Sequence, residues 1–349
     1  MKKYYTRACN FFYGNTSKKL VKKKLSIPLC GNSNISFDKI EIFLRKKKKI
    51  SSRILEIKKI KNLPFLIKKK ILFDLNKISS KRKKFNKIMI MGILNMTPDS
   101  FSDGGKFNKK EKAFKRIKFL IDSGADILDV GGESTRPGSK VISTKNEWKR
   151  IKDIVKNFKK KYPRVLLSID TRKSQIMSES ISCKADIIND VSSFDFDKNS
   201  FKTLRKSNTW KVIHHMQGTP QTMQKDPKYD HVLLDIYDFF ESKIKYLKKT
   251  KYPNKLILDP GIGFGKNLKH NLMLLNKISL FHSLGFPILI GTSRKKFIGQ
   301  IVESFDTKER LGGTLSSVIF TLSQGIQIFR VHDVREIKQG ILVFNKILN

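Results

Sequence analysis

The chain is short of the residues that staple or anchor a protein. Its three cysteines, Cys9, Cys30 and Cys183, are scattered and odd in number, with no paired spacing for a disulfide framework or a metal. They are expected to be reduced bystanders. No apolar run reaches 18 residues, which argues against a membrane-spanning helix. Met1-Lys2-Lys3 resembles the charged start of a signal peptide, but Tyr4 to Asn10 supply no apolar segment behind it, so the expected location is the cytosol. Walker-type loops and Cys/His zinc spacings are also lacking. Acidic residues are scarce, with 30 Asp and Glu against 73 Lys and Arg in 349 residues, a formal net charge of +43. Such a charge ordinarily points to nucleic acid or an anionic membrane. Here lysine greatly outnumbers arginine, Lys, Asn and Ile are abundant everywhere, and no RNA-binding or helix-turn-helix signature accompanies them. That is the mark of A- and T-rich coding with lysine as the default surface residue, and no specific nucleic-acid partner and no membrane partner are expected.

Composition divides the chain. The first 87 residues carry 27 of the Lys and Arg but only 4 of the Asp and Glu. Within them Leu25–Leu29 and Phe37–Phe43 have strand-like apolar spacing, while Arg45–Lys49 and Lys81–Lys84 read as solvated turns or linkers. The stretch is too apolar for disorder and too charged for a clear independent domain. It is read as a Lys-rich N-terminal extension, residues 1–86, of unassigned function.

From residue 87 to 349 short apolar runs alternate with amphipathic stretches of helical length. The expected strands are Ile88–Leu94, Asp126–Val130, Val165–Ile169, Asp186–Ile188, Lys211–Ile213, Lys255–Leu258, Pro287–Ile290 and Gln327–Val331. Helices are expected over Glu111–Ser123, Lys145–Lys160, Asp230–Leu247 and Asp333–Leu348. Eight such units predict an α/β fold, a (β/α)8 TIM barrel with a basic N-terminal extension. A doubly wound open sheet is the alternative, but no Gly-x-Gly-x-x-Gly follows the first strand.

Each strand runs into polar residues. They are Asn95; Asp129 and the Gly131–Gly138 loop; Asp170-Thr171-Arg172; Asn189-Asp190; His214 to Pro220; Asp259 to Lys266; Gly291 to Lys295; and Arg330 to Asp333. One polar strand end is ordinarily a helix cap. Eight converging on one barrel face make a site. Asp170, Asn189, Asp259 and Lys295 suit the donor and acceptor edge of a flat heterocycle. Arg136, Arg330 and His332, with Asn95 as a neutral oxygen ligand, suit a phosphate-rich anion accompanied by a hard cation.

The segments Asn95–Gly105, Asp129–Gly138, Asp259–Lys266 and Arg330–Asp333 resemble the signatures of the dihydropteroate synthase family, in order, over residues 87–349. The resemblance implies condensation of 6-hydroxymethyl-7,8-dihydropterin diphosphate with 4-aminobenzoate to 7,8-dihydropteroate, with Mg2+ and cationic side chains stabilising the departing diphosphate. It places Asp170, Asn189, Asp259 and Lys295 on the pterin, with Met216 and Phe264 against its ring. Asn95 becomes the Mg2+ ligand. Arg330, His332, Thr135 and Arg136 serve the diphosphate and the second loop, and Phe101 and Pro137 close over the 4-aminobenzoate site. Asp103, Lys295, Arg330 and His332 are the groups expected nearest the chemistry, Asp103 by orienting or deprotonating the arylamine. A homodimer through outer barrel helices is also implied. One departure stands out: the family usually has a small hydroxyl residue after Ser293-Arg294-Lys295, and this chain has Lys296. Its ammonium would either meet the carboxylate of 4-aminobenzoate, and of the sulfonamides that mimic it, or face solvent.

Two other readings compete. A pterin-dependent methyltransferase module would share the barrel without needing the Asn95 loop or the Arg330 anion site. A basic nucleic-acid-binding protein on an inactive barrel would bind with steep salt dependence after loss of residues 1–85. Since every proposed site residue follows Asn86, that truncation is expected to spare catalysis.

Overall fold

The computed structural model describes residues 2–97, 106–135, 138–304 and 306–348. The first part holds β1 (Lys2–Tyr13), α1 (Gly14–Lys22), β2 (Ile27–Leu29), β3 (Asn32–Lys46), β4 (Lys49–Glu56) and α2 (Phe65–Ser79). The long β3 pairs antiparallel with β1, β2 and β4. Ala8, Leu29, Phe37, Ile40 and Ile42 of this sheet meet Ile71, Leu75 and Ile78 of α2 in a core of their own. Residues 2–86 are thus more ordered than their charge suggests.

The second part alternates strand and helix: β5 (Met89–Asn95), α3 (Lys106–Asp122), β6 (Ile127–Gly131), α4 (Thr144–Lys161), β7 (Leu166–Asp170), α5 (Ser174–Ser182), β8 (Ile187–Asp190), α6 (Ser200–Arg205), β9 (Trp210–His214), α7 (Val232–Leu247), β10 (Leu256–Asp259), α8 (Leu268–Asn276), β11 (Leu289–Ile290), α9 (Lys296–Ile301), α10 (Leu311–Leu322), β12 (Ile328–Val331) and α11 (Val334–Leu348). All eight strands are parallel, in the order β10-β9-β8-β7-β6-β5-β12-β11. The Leu258↔Ile288 bridge and a 2.9 Å bond from Leu258 N–H to Pro287 O join the two ends. The barrel therefore displaces the open doubly wound sheet.

Side chains alternate in and out along each strand. Outward Leu128, Ile169, Ile188, Ile213 and Phe329 pack under the helices, while inward Met89, Ile127, Leu166, Ile187, Val212, Ile257, Leu289 and Ile328 fill the lower barrel. Because both faces are apolar there, the strands read as continuous apolar runs. Phe85, fully buried, closes this lower layer edge-on to Trp210 at 4.7 Å.

The N-terminal unit is bound to the barrel's underside and flank. Tyr5 Oη donates to Asp238 at 3.0 Å, Lys277 Nζ to Glu41 at 2.6 Å, and Tyr13 Oη to Ser323 O at 2.8 Å. Two basic residues expected in solvated runs are instead engaged with the barrel. Arg45 is ion-paired to Asp235 and Asp238 of α7. Arg82 is buried and donates to Lys77 O, Ser80 O and His282 O at 3.0, 2.8 and 3.1 Å. Guanidinium groups can satisfy several carbonyls at once, which is how a charge is tolerated at such a seam. No helix among the described residues is long and apolar enough to cross a membrane.

Candidate active site

Two residues above the apolar layer, the same inward rows turn polar. Strand register brings Asp129 level with Ser168, and Asp170 level with Asn189. Asp129 is fully buried and accepts from Ser168 Oγ at 2.6 Å, Asn189 Nδ2 at 3.3 Å and Arg330 Nε at 2.7 Å. Arg330 Nη2 reaches Asp170 Oδ2 at 2.8 Å. The β12 guanidinium thus joins carboxylates of the adjacent strands β6 and β7, far from it in sequence, and their charges outweigh burial to hold it protonated. Arg330 was expected with the anion-binding group; the structure also ties it to Asp129 and to Asp170, the latter expected among the ring-binding residues.

Asp170 Oδ1 is buried and has no hydrogen-bond partner among the described residues. Burial, opposed by Arg330, lifts the Asp170 carboxyl to about 7. Asp259 is 5% exposed, and burial lifts it to about 6 although its Oδ1 accepts the Gly261 N–H at 2.8 Å. Lys295 lies with its ammonium 4.0 Å above the Phe264 ring. Burial and the neighbouring Arg330 bring it down to about 8, against the pull of Asp259 and Asp170. The Phe264 ring also packs edge-on to His214, so it forms one wall of the pocket.

Glycine is required where the β10 loop crosses the end of β9. Gly261 has φ +67°, and a Cβ there would lie 2.0 Å from His215 O. Gly263, at φ +81°, lets the Lys295 stem pass, its Cδ being 3.2 Å from where a Cβ would stand. Lys266 staples the same loop from beneath, with Nζ 3.0 Å from His215 Nδ1 and 2.8 Å from Phe264 O. Burial pushes both Lys266 and His215 well below their ordinary values.

On the other side of Arg330, Ser293 Oγ accepts the His332 N–H at 3.1 Å and lies 3.0 Å from His332 Nδ1. Burial, then Arg330 and Arg294, brings His332 down to about 3, so its imidazole is neutral at pH 7. Asp333 is taken by Arg294, at 2.9 Å from its Nε. Asn95 ends β5, half-buried, and Thr135 and Met216 are half-buried on the loops after β6 and β9. Phe101, Asp103, Arg136 and Pro137 lie outside the described residues. Lys296 is exposed in the first turn of α9.

Asp129 stands among the polar strand ends of the sequence, but no role was assigned to it there. The expected strand Asp126–Val130 already runs past it, and β6 continues to Gly131, so Asp129 stands inside the strand. A carboxylate between Leu128 and Val130, both fully buried, was the signal available. Lys266 was passed over for a different reason: lysine is everywhere in this chain. Asp190, a candidate strand end, is occupied with its own turn, accepting from Ser192 N, Ser192 Oγ and Phe194 N at 2.7, 2.6 and 3.0 Å.

The carboxylates, amide and aromatic wall of this mouth define a barrel built to grip a flat, N–H-rich ring, and residues 91–332 match the family model for pterin binding enzymes. The dihydropteroate synthase of Escherichia coli (strain K12) is 41% identical over 261 residues, 74% of this chain and 92% of its own. That of Bacillus subtilis (strain 168) is 37% identical over 264 residues, 75% of this chain and 90% of its own. The crystal structure of Yersinia pestis dihydropteroate synthase with a sulfonamide drug superposes with a TM-score of 0.71 at 38% identity, covering 75% of this chain and 95% of that one. The Xanthomonas albilineans enzyme solved with 4-aminobenzoic acid gives 0.70 at 31% identity, covering 75% and 94%. The chain belongs to the dihydropteroate synthase family, a family of transferases in folate biosynthesis. With relatives matched over nine-tenths of their length, the methyltransferase reading is set aside.

Proposed function

We propose the following division of labour for the condensation of 6-hydroxymethyl-7,8-dihydropterin diphosphate with 4-aminobenzoate. The observation that carries it is the bare, buried Asp170 Oδ1 beside Arg330. A buried acceptor without a donor is costly, and a pterin supplies the missing N–H. Asp259 takes the guanidine-like edge of the ring, Asn189 an adjacent edge, and Phe264 and Met216 its faces. Lys295 stands over Phe264 and adds a cation at the ring's rim.

Arg330 and His332 face the diphosphate, with Thr135 and Arg136 from the second loop. Ser293 Oγ already accepts the His332 N–H, so its own proton is directed to Nδ1 and leaves Nε2–H as a donor to the leaving oxygen. His332 thereby acts as a neutral donor, and Arg330 and Arg136 carry the charge. Mg2+ is expected to be held by Asn95 Oδ1 together with diphosphate oxygens. The donor set fits: a hard cation takes a neutral amide oxygen, and Mg2+ is commonly held by few protein ligands plus substrate phosphates. No cluster of three His, Cys, Asp or Glu suited to a metal occurs among the described residues. When bound, the ion offsets charge building on the departing diphosphate.

The C–O bond to the diphosphate breaks, and the arylamine nitrogen, neutral at pH 7, attacks the exocyclic carbon. Asp103 orients the amine and accepts its proton. Phe101 and Pro137 cover it and exclude water. Exposed Lys296 faces solvent rather than the 4-aminobenzoate carboxylate. A cytosolic homodimer completes the proposal, and exposed Phe320, Leu342, Val343 and Ile347 on the outer helices α10 and α11 support an interface there.

Equilibrium dialysis of 4-aminobenzoate tests the division. Affinity is expected to be weak alone and to tighten when Mg2+ and diphosphate are both present. Arg136→Ala should remove most of the tightening and spare pterin affinity. Equal binding with and without Mg2+-diphosphate refutes the loop assignment.

A further inference from the structure

Beneath the second loop lies a cluster of four charged side chains that the division above does not use. Glu133, Arg172, Lys173 and Glu147 are 8%, 5%, 6% and 0% exposed. Glu133 Oε1 accepts from Arg172, with Nε at 3.2 Å, and its Oε2 accepts from Lys173 Nζ at 2.5 Å and from the Ile142 N–H at 3.1 Å. Glu147 accepts from the same Lys173 at 2.5 Å and from Thr171 Oγ1 at 2.6 Å. Two carboxylates face two cations, so the cluster is neutral and both oxygens of each carboxylate are used. Such a set adds little stability over apolar packing of the same volume, but it fixes direction in a way apolar packing does not.

What it fixes is specific. Thr171, Arg172 and Lys173 follow directly on Asp170, the pterin-side carboxylate of β7. Glu133 precedes Thr135 and Arg136 by two and three positions on the loop from β6. The loop base is flush against α4, since a Cβ on Gly132 would stand 2.9 Å from Glu147 O, and Arg150 donates to Gly132 O at 2.8 Å. Beyond Pro137 the loop meets the one after β9, with Gly138 N–H to Pro220 O at 3.2 Å and Gln221 Nε2 to Ser139 O at 3.0 Å. The segment carrying Thr135 is therefore gripped at both ends, and Glu133 is its inner anchor.

We propose that Glu133 is a positioning residue for the 4-aminobenzoate half of the reaction: through Arg172 and Lys173 it locks the second loop to the strand that carries Asp170. This rests on the assignment of that loop to diphosphate and 4-aminobenzoate. Glu133 touches neither substrate. Its loss leaves the pterin pocket standing, because Asp170 is held in β7 by its neighbours β6 and β8.

Steady-state kinetics and dialysis on Glu133→Gln, in the full-length chain, provide the test. The expected result is a KM for 4-aminobenzoate raised about tenfold or more, a loss of Mg2+-diphosphate tightening, and pterin diphosphate affinity within about twofold of the parent. A merely structural role would lower the melting temperature and the active fraction while leaving both KM values in place, and that result overturns the inference. If the uncompensated cations prevent folding, the charge-balanced Glu133→Gln/Lys173→Met carries the same expectations and the same refutation. Should the parent itself show no tightening, the loop assignment fails; should parent and variant tighten equally, only the role of Glu133 fails.

Discussion

Replacing Asp259 by asparagine should make this protein more stable and a poorer binder at once. Asp259 is 5% exposed, and burial raises its carboxyl from 3.8 to about 6. That rise of about two pH units corresponds to roughly 3 kcal/mol at ~1.4 kcal/mol per unit. The folded-state value lies above the unfolded one, so the folded chain holds the proton more tightly. The penalty is absent below about pH 4, grows between 4 and 6, and is complete above. Asparagine keeps an acceptor for the Gly261 N–H and drops the charge. At pH 8 the variant is therefore expected to gain up to roughly 3 kcal/mol over the parent, a gap that closes as the pH falls to about 4.

Pterin binding should move the other way. A buried carboxylate accepting two N–H groups contributes roughly 2–4 kcal/mol more than a neutral amide that turns a donor toward one of them, which is about 30- to 1000-fold in Kd. Urea denaturation at pH 8 and pH 4 measures the first effect, and calorimetry with the pterin diphosphate measures the second. Unchanged pterin affinity would remove Asp259 from the site. A variant less stable than the parent at pH 8 would refute the claim that this carboxylate is held ionised at a cost in the free enzyme.

Phe85→Ala should cost about 3–5 kcal/mol in urea denaturation, because the ring closes the lower barrel against Trp210, yet leave kcat nearly intact, since the site lies at the other end. Removal of residues 1–85, which the sequence alone suggested would spare catalysis, takes Phe85 and Arg82 from the barrel's underside and is instead expected to yield insoluble chain; a truncation that stays folded and monodisperse would contradict their packing role. Lys295 titrates near 8, so pterin affinity measured by fluorescence should fall above that pH, by up to about tenfold per unit, and Lys295→Arg should flatten the fall because arginine stays charged. An identical profile in the arginine variant would assign the titration elsewhere. Asn95→Ala should raise the Mg2+ concentration for half-maximal rate about tenfold or more; an unchanged Mg2+ titration would free Asn95 from the metal.

The barrel was legible because a parallel strand covered on both faces has to be an apolar run, and each run here ends in polar residues. Asp170, Asn189, Asp259 and Arg330 were found that way. Asp129 was among those ends too but carried no role, because position along an inward row matters as well as position at a strand end. Counting by twos from Ile127 reaches it, one step above the apolar layer. Pairings across the barrel were beyond reach: Arg330 meets Asp129 and Asp170 over 201 and 160 residues. In the N-terminal part, lysine runs concealed the two arginines that matter. Arg45 and Arg82 sit among Lys46–Lys49 and Lys81–Lys84, yet both are committed to the barrel by geometry that only a planar fork can satisfy.

Asp129 and Asp170 share one guanidinium, and the difference between them predicts an order of events. Asp129 has donors on both oxygens and no exposure, so it holds Arg330 and Asn189 in place. Asp170 has one oxygen on Arg330 and the other bare, and its proton is poised near pH 7. A ring N–H arriving at the bare oxygen favours the carboxylate form, so pterin binding should release a proton and strengthen the Arg330 pair. That leaves a fixed, charged guanidinium at the spot where the diphosphate is due, before the second loop has anything to grip. On the proposed division of labour, arylamine binding waits for that loop whereas pterin binding needs only the strands, so the rigid rows, whose polar atoms are already in register, are expected to bind first.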